Sequence, residues 1–252
     1  MDAIESSVIA ADVQTTIRHK SVLTRKTMLR RWYRRMYVSF RSTAMSVGLD
    51  NGASLEIGSG GGFLKEIFPE VITSDILPLP DVDRVVRAEA LPFPDQSLSC
   101  ILLLNVFHHI PKPADFLAEA SRTLANGGKI MMVEPANTPF GRFIYKRFHH
   151  EPFDELGGRE LPEGNPLGHA NQALPYIYFE RDIDWFRQQF PSLSLLSIRY
   201  HSPFTYLLSG GFSHRSFVPS FFVRPLEILE GLLAPLHPYL GLFCTITLER
   251  KA

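Results

Sequence analysis

One stretch constrains this chain more than any other. Residues 54–66 read Ser-Leu-Glu-Ile-Gly-Ser-Gly-Gly-Gly-Phe-Leu-Lys-Glu, a short apolar strand, a glycine-dense turn and the start of a helix. Glycine has no Cβ, so clustered glycines let a ligand lie against bare backbone, and the N–H groups that open a helix can face it. Glu56 stands two residues ahead of Gly58, at the end of the strand. Its carboxylate is expected in the crevice that the turn opens, which favours a ligand with positive charge beside polar groups.

Spacing separates two readings of this turn. A dinucleotide fingerprint needs Gly-x-Gly-x-x-Gly, its third glycine letting helix and strand pack closely. Counted from Gly58 and Gly60, that third position is Phe63, and the glycine falls at Gly62 instead. This opposes a nicotinamide-dependent oxidoreductase. The pattern Glu-x-Gly-x-Gly-x-Gly resembles motif I of the class I S-adenosylmethionine-dependent methyltransferases. The resemblance implies S-adenosyl-L-methionine as cofactor, with Glu56 near its amino group and Gly58, Ser59, Gly60 and Gly62 around its methionine end.

At 252 residues the chain is long enough for one α/β domain with insertions. Its 26 basic and 26 acidic side chains cancel, so bulk affinity for nucleic acid is not expected and none is assigned as a partner. Cys100 and Cys244 fall in apolar, strand-like runs, which reads as reduced core thiols in a cytoplasmic protein. No signal-peptide order opens the chain and no apolar run reaches spanning length. The expectation is a soluble or peripherally attached protein.

Residues 1–50 are read as a basic helical cap: a loose arm over 1–13, then a helix over 15–46. No acid occurs between Asp12 and Asp50, while Arg18, Lys20, Arg25, Lys26, Arg30, Arg31, Arg34, Arg35 and Arg41 crowd together. Trp32, Tyr33, Met36, Tyr37 and Phe40 interleave them at helical spacing. Either the aromatic side packs on the domain, or the helix lies on an anionic membrane or closes over an acidic acceptor.

Beyond the turn, residues 71–75 form an apolar run closing on Asp75, placed as the ribose ligand because acids at the end of a second parallel strand meet ribose hydroxyls. An Asx turn ahead of Pro78 is the alternative. Ile76 then forms one face of an adenine slot. Residues 83–86 read as the third strand. The sequence Arg87-Ala88-Glu89-Ala90-Leu91-Pro92-Phe93 is similar to a stretch of many small-molecule methyltransferases whose first residue is aspartate. Arg87 departs from it, leaving Ala88 and Glu89 on the adenine side, and Ser99 stands where the family usually has aspartate.

Residues 100–104 are continuously apolar, as a central strand covered on both faces would be. They lead to Asn105, placed with His108 beneath the transferred methyl, and to His109. A helix is expected over 113–124, stopped at Asn126-Gly127-Gly128, and a fifth strand over 129–134 ending at Glu134, read as another acid facing the crevice. From 54 to 135 the ordered motifs resemble the methyltransferase type 11 group, which includes ubiquinone-biosynthesis-like enzymes.

The fold expected is therefore a Rossmann-like seven-stranded α/β methyltransferase sheet, parallel with one antiparallel strand. The catalytic domain spans 51–252, with substrate-side insertions at about 137–180 and 202–240, the latter a helical lid with Pro225, Pro235 and Pro238. Glu227 and Glu230 argue against a spanning helix there. His149 and His150, between acids, join His109 as candidate bases for a hydroxyl acceptor, and no metal ligand set is assigned. The activity implied is methyl transfer (EC 2.1.1.-) to a small-molecule or lipid/glycan-linked acceptor, oxygen favoured. A methyltransferase-like scaffold without turnover is the alternative, kept open by Arg87 and Ser99.

Overall fold

A computed structural model describes residues 3–48, 51–162 and 168–251. Seven strands form one sheet: β1 (Ala53–Ile57), β2 (Ile72–Asp75), β3 (Arg84–Val85), β4 (Leu98–Leu104), β5 (Leu124–Pro135), β6 (Leu193–His201) and β7 (Phe243–Arg250). Their order is β3-β2-β1-β4-β5-β7-β6. All pairings are parallel except those of β7, which runs antiparallel to both β5 and β6. The Rossmann-like sheet expected from the sequence is thus present. Strand order reverses between β1 and β4, the place where parallel sheets open a crevice at their carboxyl ends.

The continuous apolar run is the reason β4 lies at the centre. Every residue of β4 is buried. Because successive side chains point to opposite faces, Ile101 and Leu103 join Ile130, Met132, Phe116 and Phe186 on one side, and Cys100, Leu102 and Leu104 join Met131 and Val133 on the other. That second face is covered by α2 (Thr27–Val47), which buries Trp32, Tyr33, Met36, Tyr37 and Phe40 there. The aromatic stripe therefore packs on the domain, each large side chain contributing on the order of 1.5–3 kcal/mol of burial. Its basic residues are partly paired within the chain: Arg31 with Glu227 at 2.6 Å and Arg30 with Glu66 at 2.6 Å.

Local readings change in four places. The expected loose arm is helical from residue 3, as α1 (Ala3–Arg25); residues 1–2 lie outside the described residues. Its opening is rich in Ala, Val and Ile and free of Gly and Pro, so nothing breaks a helix. The break comes at Lys26, whose Nζ donates to the carbonyl oxygens of Gly211 (2.6 Å), Ser209 (3.4 Å) and His214, pinning the helix junction to the 202–240 insertion. The helix expected after the glycine turn is only a 3₁₀ turn, Leu64–Glu66. Pro69 lies too close behind and disfavours helical backbone at Phe68.

The fourth change concerns the fifth strand. β5 starts at Leu124, with Asn126-Gly127-Gly128 inside it as an irregularity where pairing steps from Leu98↔Leu124 to Cys100↔Lys129; α3 (Pro113–Thr123) has already ended. Residues 157–162 and 168–171 form no helix or strand, residues 163–167 lying outside the described residues. In the 202–240 insertion, Glu230 is buried and accepts from the Phe204 and Thr205 amides at 2.8 and 2.7 Å, so it caps the short helix Thr205–Leu208. Among the described residues no helix is long and apolar enough to cross a membrane.

Candidate functional site

The glycine turn and the end of β4 meet at the switch point. Gly58 has φ +67°, and a Cβ there would fall 2.4 Å from Val106 Cγ2, so glycine is required for the two strand ends to close on each other. A Cβ on Gly61 would lie 2.6 Å from the backbone nitrogen of Lys20, which shows how closely α1 crosses the turn. Much of the bare backbone expected to face a ligand is therefore taken by protein. Gly60 is the exception among these positions, with nothing nearer than 3.9 Å to an added Cβ.

Glu56 is where the sequence places it, at the end of β1 and buried. Ser59 Oγ donates to it at 2.7 Å. Burial, the largest influence, pushes the Glu56 carboxyl up to about 7; the Ser59 hydrogen bond pulls it down and nearby Asp75 adds to the rise. Asp75 is also buried, and its carboxylate accepts from the Gly60 amide at 2.8 Å and the Leu77 amide at 3.0 Å. The Asx turn is thus real, and the same acid ties the glycine turn to β2. Burial raises the Asp75 carboxyl, against these amide bonds.

Ile76 is half-buried beside Asp75, Ala88 is buried, and Glu89 is half-buried with Arg87 at 3.6 Å. Ser99 lies at the start of β4, buried, its Oγ 3.3 Å from the Ala53 carbonyl it donates to. That is the opposite end of the strand from the crevice, so its departure from aspartate leaves the site untouched. Asn105 at the rim has φ +57°, a left-handed conformation uncommon outside glycine, and its Oδ1 is buried without a hydrogen-bond partner. Tyr33 and Tyr37 reach this region from α2, Tyr37 packing edge-on to Phe63 at 5.0 Å. Both were read only as a helix's aromatic stripe; no spacing in the sequence links them to Glu56.

A second cluster lies one turn further on. Glu134, expected to face the crevice, instead turns under the 106–109 segment. It is fully buried and accepts from the amides of Val106 (2.9 Å) and Phe107 (2.8 Å), and it meets His108 Nδ1 at 2.6 Å. Three acceptor bonds at a strand end hold that turn, which is why the acid cannot look outward. Burial alone would lower the His108 pKa, but Glu134 and then Glu151 outweigh it and push it up to about 9.

Glu151 collects the remaining histidines. His109 Nε2 is 3.6 Å from it, His149 Nδ1 3.8 Å and His150 Nε2 3.7 Å. The three candidate bases are therefore brought together, although 40 positions separate His109 from His149. Burial pushes His109 down to about 4, with His108 adding to the drop, and burial likewise lowers His149. Gln172 Nε2 donates to Glu151 at 2.9 Å and sits 2.5 Å from His149 Nδ1. The sequence shows Glu151 only as an acid beside His149 and His150, and gives no signal for Gln172, because His108, His109 and Gln172 come from distant segments.

With this geometry in hand, the comparison with known families is decisive at one point. Residues 55–132 match a methyltransferase domain family. Over that stretch the match bears out the resemblance to class I S-adenosylmethionine-dependent methyltransferases of the type 11 group, the family whose cofactor is S-adenosylmethionine. No curated protein matches the chain in sequence. Similar solved structures include a SAM-dependent methyltransferase from Thermotoga maritima, described as a possible histamine N-methyltransferase, at 19% identity, 88% of this chain, 94% of that one and a TM-score of 0.48. Another is an S-adenosylmethionine-dependent methyltransferase from Mesorhizobium loti, at 10% identity, 83% and 96% coverage and a TM-score of 0.44. A third is the geranyl diphosphate C-methyltransferase of Streptomyces coelicolor A3(2), in complex with Mg2+, geranyl diphosphate and S-adenosyl-L-homocysteine, at 12% identity, 83% and 77% coverage and a TM-score of 0.43.

The residues present fit such a cofactor. The crevice offers a buried acid at Glu56, an accessible glycine at Gly60 and a buried oxygen on Asn105 that lacks a partner. These are what a ligand with an ammonium group and further donors requires.

Proposed function

We infer that the chain transfers the methyl group of S-adenosylmethionine to the oxygen of a small or lipid-linked acceptor. The observation that supports this is that the strand ends at the switch point, inside the matched segment, carry a buried acid at Glu56, open space at Gly60 and a buried Asn105 whose Oδ1 has no partner. The cofactor supplies an electrophilic methyl on a sulfonium. Transfer is an in-line displacement, so the protein chiefly positions the acceptor, excludes water and takes a proton where the nucleophile carries one.

In this reading Glu56 holds the amino group, with Gly58, Ser59, Gly60 and Gly62 shaping the turn. Asp75 meets ribose while keeping its bond to the Gly60 amide, and Ile76, Ala88 and Glu89 border adenine. Asn105 and His108 lie nearest the methyl end. His109 and His149, both pushed toward the neutral form by burial, offer lone pairs for a hydroxyl proton, with His150 at the outer edge. Oxygen is favoured over carbon because these neutral imidazoles stand together beside the crevice.

Calorimetry tests the reading. S-adenosylmethionine and S-adenosylhomocysteine are expected to bind one per chain, with NAD giving no heat, and labelled methyl transfer to lipid and glycan extracts then identifies the acceptor. Absence of binding by both sulfur compounds would transfer the lead to the scaffold alternative.

One surface supports the lipid-linked acceptor. Phe217, Phe221, Ile228, Leu232 and Tyr239 on the 202–240 insertion are each more than 60% exposed. Large apolar side chains left exposed together on one insertion are the composition of an interaction surface. Peripheral contact with an anionic membrane thus rests on this insertion rather than on the aromatic side of α2, which is buried. The protein is expected to float with phosphatidylserine-containing liposomes, and Phe221→Ser with Leu232→Ser to abolish flotation. A wild-type protein that stays at the bottom of the gradient removes this contact.

A further inference from the structure

We propose that His108, His109 and Glu151 form a binding site for one divalent first-row transition metal, zinc in the first instance. This site shares His108 and His109 with the proposed methyl-transfer end, so an ion held there would leave His149 as the neutral imidazole; whether it binds metal is tested independently of the methyl-transfer reading.

The spacing is the primary observation. Glu151 Oε2 lies 3.7 Å from His108 Nε2, and Oε1 lies 3.6 Å from His109 Nε2. The three residues offer ligand atoms that all fall within 4.8 Å of one another. A charge-assisted hydrogen bond would close to about 2.7–2.9 Å. By contrast, nitrogen and oxygen ligands set tetrahedrally at about 2.1 Å from one ion stand about 3.4 Å apart. The two carboxylate–imidazole distances, one to each oxygen of Glu151, are within a few tenths of an ångström of that value, and the whole set closes to within 4.8 Å. The same His108 ring shows that direct pairing is available to it, since its other nitrogen closes to 2.6 Å on Glu134.

The chemistry of the set agrees. Two imidazoles and one carboxylate suit zinc, iron, cobalt or nickel, and offer too few oxygens for calcium. Glu134 on Nδ1 orients the His108 ring with Nε2 facing Glu151, the carboxylate–histidine arrangement that orients metal ligands, and an ion binding there would displace the Nε2 proton. Glu134 is itself fixed by the Val106 and Phe107 amides, and Glu151 by Gln172 at 2.9 Å. His109 Nδ1 is buried, and the His169 backbone interacts with the His109 ring as a hydrogen-bond partner. His150 is 3.7 Å from Glu151 but largely exposed, and falls outside the set.

The test uses the full chain, stripped with chelator and titrated with Zn2+ by calorimetry and with Co2+ by visible absorption. One ion per chain is expected, with d–d bands in the cobalt form and a metal-dependent rise in Tm. Glu151→Gln and His109→Asn should each weaken Zn2+ by about 100-fold or more, while His150→Ala stays within about threefold, ligands mattering at least as much as the groups behind them. Circular dichroism of the stripped variants establishes that they fold; if one does not, the other decides. The proposal is overturned if the stripped wild type takes up neither Zn2+ nor Co2+, or if a folded Glu151→Gln or His109→Asn chain binds as the wild type does. Methyl-donor binding is measured separately, so failure of one result leaves the other legible.

Discussion

Replacing Glu134 by alanine is expected to lower the unfolding free energy by about 3–5 kcal/mol, a large part of the roughly 5–15 kcal/mol typical of a domain. The carboxylate is fully buried and serves three groups at once: the Val106 amide, the Phe107 amide and His108 Nδ1. Truncation leaves two buried amides and a buried imidazole without their acceptor, in a place water does not reach, and it opens a cavity beneath the turn. Each orphaned group costs about 1–3 kcal/mol. Glu134→Gln separates the contributions, because its amide oxygen can still accept from both backbone N–H groups while the charge opposite His108 is gone. Its loss should be about half as large. Urea titrations in chelator, with equal m-values, measure both. A Glu134→Ala chain within about 1 kcal/mol of wild type would show that the 106–109 turn is held by other contacts.

How much of this was legible in the sequence follows from the range over which each signal acts. β4 could be read because a central parallel strand needs an unbroken apolar run, and residues 100–104 supply it. The same locality makes the glycine turn readable, since Gly58 and its neighbours are adjacent in sequence and their constraint is steric. Where a partner lies far along the chain, the signal disappears. Ser59 and Glu56 are three residues apart and their bond is guessable; Glu151 and His108 are brought together only by the path of the 137–180 insertion across the strand ends. Glu134 illustrates the middle case. Its position at the end of β5 was legible, but its orientation depends on where the Val106 and Phe107 amides point, which the left-handed backbone at Asn105 decides. The first half of α1, expected as a loose arm, differs for another reason: a helix without strong amphipathic periodicity leaves little pattern to read, although its composition permits it.

The Glu56 carboxyl provides the sharpest link between this structure and the proposed activity. Substitution by glutamine should weaken S-adenosylmethionine by about 100-fold, the equivalent of about 2.7 kcal/mol, because a buried ammonium would lose the Glu56 charge opposite it. Burial raises the carboxyl from an ordinary 4.5 to about 7, so at pH 6 it is largely protonated in the free protein. Binding the ammonium must expel that proton. Wild-type affinity should therefore climb with pH up to about 7, approaching tenfold per unit well below that point, and level off above it. Proton release at pH 6 will appear as a buffer-dependent heat. Stability of the free protein carries the opposite sign. A folded-state pKa above the unfolded one favours the protonated fold, so this contribution is complete below about 4.5 and is lost as pH rises through about 7. Glu56→Gln should flatten both profiles while keeping the Ser59 hydrogen bond within reach of its amide oxygen. A wild-type affinity that does not change between pH 5.5 and 8 would place the ammonium elsewhere in the crevice, and undiminished binding by the glutamine variant would remove Glu56 from the cofactor site altogether.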